Sequence, residues 1–308
     1  MSEPSDVLYE ERDGIAIITL NRPAKKNTLT ETVVALMADC VDRANRSPVV
    51  AAIVLRGAGD TFTAGYDLTD GKHWDMPYES NNAITQRLAA DTQQDTPPQW
   101  DPIKDYQFMG NNVRRFMSIW ESPKPVLGEI KGWAIGGATD LVLCCDLLFM
   151  ADTAHIGYAP SRIYGTPTTM MWIYRLGLEH AKQFLLTGRA IDAATAHRIG
   201  LVSQVVPEAE LASTIEAEAM RFQHIPGNQL ALNKLLINQA FENMGLRTTQ
   251  MMGTLFDGIT RHTQEARQWQ RSFADKGFRQ VIRERDAPWQ DYGEGKSKQK
   301  PEDEAKGL

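Results

Sequence analysis

Two short segments and one carboxylate carry the chemistry open to this chain. The segments are Thr61-Phe-Thr-Ala-Gly-Tyr-Asp-Leu68 and Gly132-Trp-Ala-Ile-Gly-Gly-Ala-Thr-Asp140, and the carboxylate is Asp140 itself. The first follows the strand-like run Val49–Arg56 and the turn Gly57–Asp60. The second follows the strand-like Pro125–Ile130 and opens an apolar helix predicted over Ala138–Cys145. Gly136 and Gly137 have no side chain to block close approach, and they stand where a helix leaves its first N–H groups without intrahelical acceptors. Two backbone N–H groups converging on one point would hold a carbonyl oxygen that becomes negative during reaction. Asp140 lies one helical turn from Gly137, close enough to exchange a proton with whatever is held there.

At these residues the chain resembles the crotonase (enoyl-CoA hydratase/isomerase) superfamily. Further blocks carry the resemblance: the turn Asn21-Arg-Pro-Ala-Lys-Lys-Asn-Thr-Leu29 before the first helix, and the long stretch from Leu186-Thr-Gly-Arg189 through Gly200-Leu-Val-Ser-Gln-Val-Val-Pro207. Either glycine segment alone would be weak evidence, whereas ordered blocks across about residues 7–285 are strong.

The resemblance implies a spiral of ββα repeats over residues 1–207, holding an acyl-CoA site. It also implies a C-terminal helical trimerisation region over 208–290, and residues 291–308 read as a disordered tail. Independently, strands at Val7–Glu10 and Ile15–Leu20 and a helix at Glu31–Ala44 begin an α/β alternation that runs to about residue 150. Thr30 is the expected cap of that helix, with Val33, Leu36, Met37 and Cys40 on one face. Residues 69–110 interrupt the rhythm. Their aromatics (Trp74, Tyr78, Trp100, Tyr106 and Phe108) favour an ordered lid. Beyond 208 the pattern predicts helices at Glu208–Gln223, Gln229–Asn243 and Thr248–Lys276.

Composition narrows the partners. The 308 residues are 42% hydrophobic and 23% charged, the profile of a globular protein. A formal net charge of −6 argues against nonspecific nucleic-acid binding. Cys40, Cys144 and Cys145 read as small buried apolar residues, and no Cys or His spacing suggests a metal. The polar, acidic start is no signal peptide and no apolar run is long enough to span a membrane, so a cytoplasmic location is expected.

By resemblance, the oxyanion donors are the N–H groups of Tyr66 and Gly137, with Asp140 the catalytic carboxylate where the family's hydratases carry a glutamate. Lys25 and Lys26 would approach the adenosine end of CoA, and the Ala64 carbonyl would hold its adenine amino group. Lys276 and Phe278 would approach CoA, from the same or a neighbouring subunit. No cofactor is implied beyond coenzyme A as part of the substrate, and a homotrimer or homohexamer is implied. Hydratases of the family also carry a second glutamate about twenty residues downstream, and here Pro160 stands at that place. A proline side chain can neither give nor take a proton. Ser161, Arg162 and Tyr164 lie nearby, and Asp75, Glu79, Asp101, Asp105 and Tyr106 of the excursion are further candidates for the partner. Among the histidines, His155 is a weak candidate, and His180 and His197 read as packing or surface residues. Three readings therefore stand: hydration of a 2-enoyl-CoA, isomerisation or hydrolysis of a bulkier acyl-CoA, and acyl-CoA binding without catalysis.

Overall fold

A computed structural model describes residues 5–68 and 100–292. The chain opens with an antiparallel hairpin, β1 (Val7–Arg12) and β2 (Ile15–Leu20). Thr30 then caps α1 (Glu31–Arg46), its side chain accepting from the Val33 N–H at 3.2 Å as the sequence predicts. β3 (Ala52–Gly57), β4 (Val126–Ile130), β6 (Leu147–Ala151) and β9 (Gln204–Val206) extend the hairpin as parallel strands. The large sheet has the order β1-β2-β3-β4-β6-β9. These strands read as near-continuous aliphatic runs because both faces are covered.

A small second sheet, β5 (Trp133–Ile135), β7 (His155–Gly157) and β8 (Ala190–Asp192), makes the spiral. After β4 the chain places β5 in it, and after β6 it places β7. After β3 it bridges Thr63 to Ala134 of β5. Each turn therefore lays one strand in the large sheet and one segment on the small one, which is the repeat that the resemblance implies.

Between them stand α2 (Pro102–Glu121) and α3 (Gly137–Val142), followed by α4 (Met171–Thr187, kinked at Gly177) and α5 (Ala193–Arg198). The excursion predicted over 69–110 is shorter at its end, because Asp101 caps α2 by accepting from the Ile103 and Lys104 N–H groups and Pro102 opens it. Residues 69–99, including Trp74, Asp75, Tyr78 and Glu79, lie outside the described residues. α3 is also shorter than the helix predicted over Ala138–Cys145. Arg175 donates to the carbonyls of Leu143 and Cys145, so the chain leaves the helix there and turns into β6.

The C-terminal part is helical: α6 (Glu208–Arg221), α7 (Gly227–Asn243), α8 (Leu246–Arg261), α9 (Gln264–Lys276) and α10 (Phe278–Asp286). The single helix predicted over Thr248–Lys276 is two. Thr263 turns extended and caps α9 by accepting from the Ala266 N–H at 3.2 Å. α6 belongs to the core, burying Leu211, Ile215 and Ala219 against the large sheet. Asp291 and Tyr292, read as the start of the tail, are anchored. Asp291 pairs with Arg162 at 2.6 Å, and the Tyr292 hydroxyl donates to the Gly188 carbonyl. The three cysteines are free thiols, and Cys144 and Cys145 are buried.

α7 is pinned to the core by Lys234, whose Nζ donates to the Ile119 and Lys124 carbonyls and to Asp146 Oδ2 at 2.7 Å. The same oxygen accepts from the Val126 N–H at the head of β4. Replacing Lys234 with Met leaves Asp146 half-paired in a mostly desolvated place, an expected loss of about 3 kcal/mol. Urea midpoints of both proteins at one fixed concentration measure it. An unchanged midpoint would show that the pin adds no net stability.

Candidate active site

The first glycine segment is held from both sides. Asn27 Nδ2 donates to the carbonyls of Ala58 and Thr61, each at 2.8 Å, and Phe62 and Thr63 donate to the carbonyls of Lys131, just before the second segment, and Trp133 within it. The Gly65 N–H is taken by Thr63 Oγ1 at 3.1 Å. Leu29 donates to the Gly65 carbonyl and accepts from Asp67, so the intervening Tyr66 N–H points away from Leu29, toward the side on which the second segment lies.

The second segment turns at Gly136, whose φ of 58° and ψ of −122° only glycine adopts without strain. The Gly136 carbonyl accepts from the N–H and hydroxyl of Thr139, and Trp172 Nε1 donates to that hydroxyl. Gly137 opens α3 and has no i−4 acceptor within it. The two segments nearly touch. A β-carbon on Gly65 would stand 2.5 Å from the Ile135 carbonyl oxygen and 3.4 Å from the Gly137 nitrogen. The Tyr66 ring in turn lies over Gly137, leaving no room for a β-carbon there.

Both segments open onto a cavity of about 240 Å³. Ala64, Gly65, Tyr66, Gly137 and Asp140 line it, with Leu68, Met109, Ile163, Trp269 and Ile282 as apolar wall. Asp140 is buried, and its Oδ1 accepts from the Thr169 N–H at 2.9 Å and hydroxyl at 3.0 Å. Burial pushes its carboxyl up to about 7; the Thr169 bonds pull the other way, and the nearby Asp257 charge adds to the rise.

Of the predicted site residues the cavity gathers Ala64, Tyr66, Gly137 and Asp140, and Lys25, Lys26 and Lys276 stand outside its wall. Lys25 and Lys26 are exposed on the turn beside Ala64, whose N–H donates to the Lys26 carbonyl at 3.0 Å. The Lys26 ammonium pairs with Asp60 at 2.9 Å. Lys276 is exposed, pairs with Glu284 at 2.7 Å and is not part of the cavity wall. Phe278 begins α10, and its side chain lies outside the described ones. Pro160 lines the cavity and packs on Gly136. Of its neighbours, Tyr164 lines the cavity, whereas Arg162 is drawn into pairs with Asp286 and Asp291 and Ser161 is not in the wall. Asp101 is committed to its cap, Tyr106 is not in the wall, and Asp105 is buried behind it.

The residues that sequence reasoning missed are Asp257 and Arg261 on α8, both in the wall. Arg261 Nε donates to Asp257 Oδ2 at 3.0 Å, and its Nη2 donates to Asp105 Oδ1 at 2.6 Å. Trp100 Nε1 donates to the other Asp105 oxygen at 2.9 Å and its ring stacks on His262. An Asp–Arg pair four apart on a helix reads as a solvated face. The available signal was the glycines: Gly253 and Gly258 let this face press against Pro167 and Asp105, closer than a β-carbon allows. His155 stacks on Trp133 outside the cavity, and His180 and His197 are at the surface.

Alternating strands in two sheets and paired loops at the cavity are the architecture of the crotonase superfamily. Within it, the chain belongs to the enoyl-CoA hydratase/isomerase family, which it matches over residues 10–291. It is similar to the crystal structure of an enoyl-CoA hydratase from Mycobacterium smegmatis, with 37% identity, a TM-score of 0.83, and 94% of this chain and 96% of that one covered. An enoyl-CoA hydratase/isomerase from Xanthobacter autotrophicus gives a TM-score of 0.77 at 25% identity, covering 92% of this chain and 98% of that one. A crotonyl-CoA hydratase from Syntrophomonas wolfei is 29% identical over 247 residues, covering 79% of this chain and 83% of its own length.

The raised Asp140 carboxyl makes stability depend on pH. Its folded value of about 7 lies above the ordinary 3.8, so the folded state holds a proton that the unfolded chain has lost between those values. Stability from this group is fully present below the unfolded value and is lost as pH rises through the folded one. Asp140→Asn keeps an acceptor for Thr169 without the charge. Its stability relative to wild type should therefore improve by about 3 kcal/mol between pH 5 and pH 8. Urea midpoints across that range test it; a constant difference would place Asp140 at an ordinary carboxylate value.

Proposed function

We propose that the protein is an enoyl-CoA hydratase, adding water across the double bond of a 2-enoyl-CoA. The apposition of Gly65–Tyr66 with Gly137 supports this reading, because it brings two backbone N–H groups to one cavity beside a protonatable carboxyl. The Tyr66 and Gly137 N–H groups hold the thioester oxygen, which gains negative charge as the nucleophile adds. Asp140, protonated near neutrality, delivers its proton to the α carbon of the resulting enolate. Coenzyme A enters as part of the substrate. Its adenosine end lies near the Lys25–Lys26 turn and the Ala64 carbonyl, with Lys276 and Phe278 reaching CoA from a neighbouring subunit.

A trimer or dimer of trimers in the cytoplasm fits this reading. On α7, Leu232, Leu235 and Leu236 are 61, 62 and 72% exposed, an apolar row suited to burial against another copy. No helix among the described residues is long and apolar enough to cross a membrane. Pro160 favours a second reading, isomerisation or hydrolysis, since it removes one proton-transfer group of the two-carboxylate pattern. A non-catalytic acyl-CoA binder remains the alternative from another class.

Incubation with crotonyl-CoA and with longer and ring-bearing enoyl-CoAs separates these readings. Hydration removes the conjugated thioester absorbance and adds the mass of one water. A shifted double bond without mass gain supports isomerisation, release of free CoA supports hydrolysis, and tight binding without turnover supports the binder. Gly65→Ala forces apart the two segments and should lower kcat by about 10²–10³-fold, the effect of losing one oxyanion donor. Asp140→Asn should lower kcat by about 10²–10⁴-fold with the acyl-CoA still bound. Wild-type rates in both variants would remove these roles. Sedimentation measures the assembly, and a monomeric mass would remove the trimer.

A further inference from the structure

Hydration needs a group that takes a proton from the attacking water, and Pro160 cannot be that group. We propose that Asp257, brought by α8 from the C-terminal helical region, is the second catalytic carboxylate of this site and acts as the base toward water. The assignment rests on the hydratase reading above.

Position is the first argument. Asp257 lines the same cavity as Asp140, Tyr66 and Gly137. A single point, where a β-carbon on Gly165 would stand, lies 3.2 Å from Pro160 Cβ, 3.3 Å from Asp257 Oδ1 and 3.7 Å from the Tyr158 hydroxyl. The carboxylate thus reaches the immediate neighbourhood of residue 160 from a different element. The loop passes between them as glycine, with a φ of 110°.

Charge and hydrogen bonding are the second. Asp257 Oδ2 is held by Arg261 Nε at 3.0 Å, which favours the ionised form that a base requires; burial opposes this and raises the carboxyl. Oδ1 accepts from the Thr166 N–H at a long 3.3 Å, its one hydrogen bond among the described residues. A carboxylate oxygen has two acceptor sites, so Oδ1 retains room for a water. The two phenols alongside are poor rivals, because burial lifts Tyr158 and Tyr164 far above their ordinary range. Behind the wall, Asp105 takes the other end of the Arg261 guanidinium and fixes its direction.

The step balances with water as co-reactant. The water oxygen bonds to the β carbon and one water proton passes to Asp257. The double-bond pair moves to the α carbon and the thioester oxygen, and Asp140 gives its proton to the α carbon. The proton on Asp257 then leaves through solvent, and Asp140 is reprotonated.

This division of labour separates two activities. Exchange of the α hydrogens of a saturated acyl-CoA with deuterated solvent uses the oxyanion donors and Asp140, whereas hydration uses Asp257 as well. Asp257→Asn leaves Asp105 and Arg261 as a neutral buried pair, so the fold should persist, and retained α-exchange reports an intact site. On the enoyl-CoA that wild type hydrates best, and on its saturated counterpart, Asp257→Asn should lose at least about 10²-fold in hydration kcat while keeping α-exchange within about threefold. Asp140→Asn should lose both. Hydration by Asp257→Asn at the wild-type rate overturns the assignment, as does equal loss of exchange and hydration, which would mean a structural role only. If wild type itself hydrates no enoyl-CoA, the hydratase reading fails, and that outcome is visible before any variant is made.

Discussion

The close approach of two backbones at Gly65 and Gly137 is the constraint on which the site depends. It exists because the segment after β3 joins the small sheet through Thr63 and Ala134 rather than continuing the large one. Every nearby hydrogen bond serves that approach. Asn27 straps the entry, Thr63 takes the Gly65 N–H, and Leu29 takes the groups on either side of Tyr66. With these partners assigned, the remaining donor directions are set by the fold before any ligand arrives. Such preorganisation is what makes a dipole useful against developing charge, since no reorientation is needed during reaction.

Electrostatics then divides the carboxylates. Asp105 and Asp257 share one guanidinium, whereas Asp140 is held by hydrogen bonds from Thr168 and Thr169. Burial raises Asp140 and Asp257 alike, but among the described residues Asp140 forms no ion pair. Only at Asp257 does a paired guanidinium pull back toward the ionised form, so two differently partnered carboxyls face a common cavity. The same arrangement explains why Pro160 is tolerated. Its ring fills the space over Gly136, and a carboxylate there would add a further buried charge without a cation of its own.

Much of this was legible because it is local. The glycine turn at Gly136, Thr30 before α1, and the aliphatic strands declare themselves within a few residues. Two of the three failures come from distant partners and one from a local cap. The helix expected over Ala138–Cys145 stops early because Arg175, some thirty residues on, takes its last carbonyls. The helix expected over Thr248–Lys276 breaks because Thr263 caps better than it continues, and a threonine at that spacing was a readable signal. Asp257 and Arg261 were unreadable as site residues. Their i,i+4 spacing is the signature of a solvated face, and only the packing of α8 on α2 buries them.

That packing makes the C-terminal helices part of the site rather than a cover for it. α8 supplies wall residues directly, while the segment after α10 grips the loop that carries Pro160. Arg162 is clamped between Asp286 and Asp291 and lies over the rings of Trp289 and Tyr292. Tyr292 also stacks on Trp133 of β5, inside the second glycine segment and three residues before Gly136. One short stretch of chain thus touches both the loop that carries Pro160 and the strand that leads to Gly136 and Gly137. A loop holding a proline instead of a second acid has no charge interaction of its own with the cavity to fix its place. The fold fixes it from behind, through ion pairs and ring contacts on Arg162, and leaves Pro160 itself on the cavity wall.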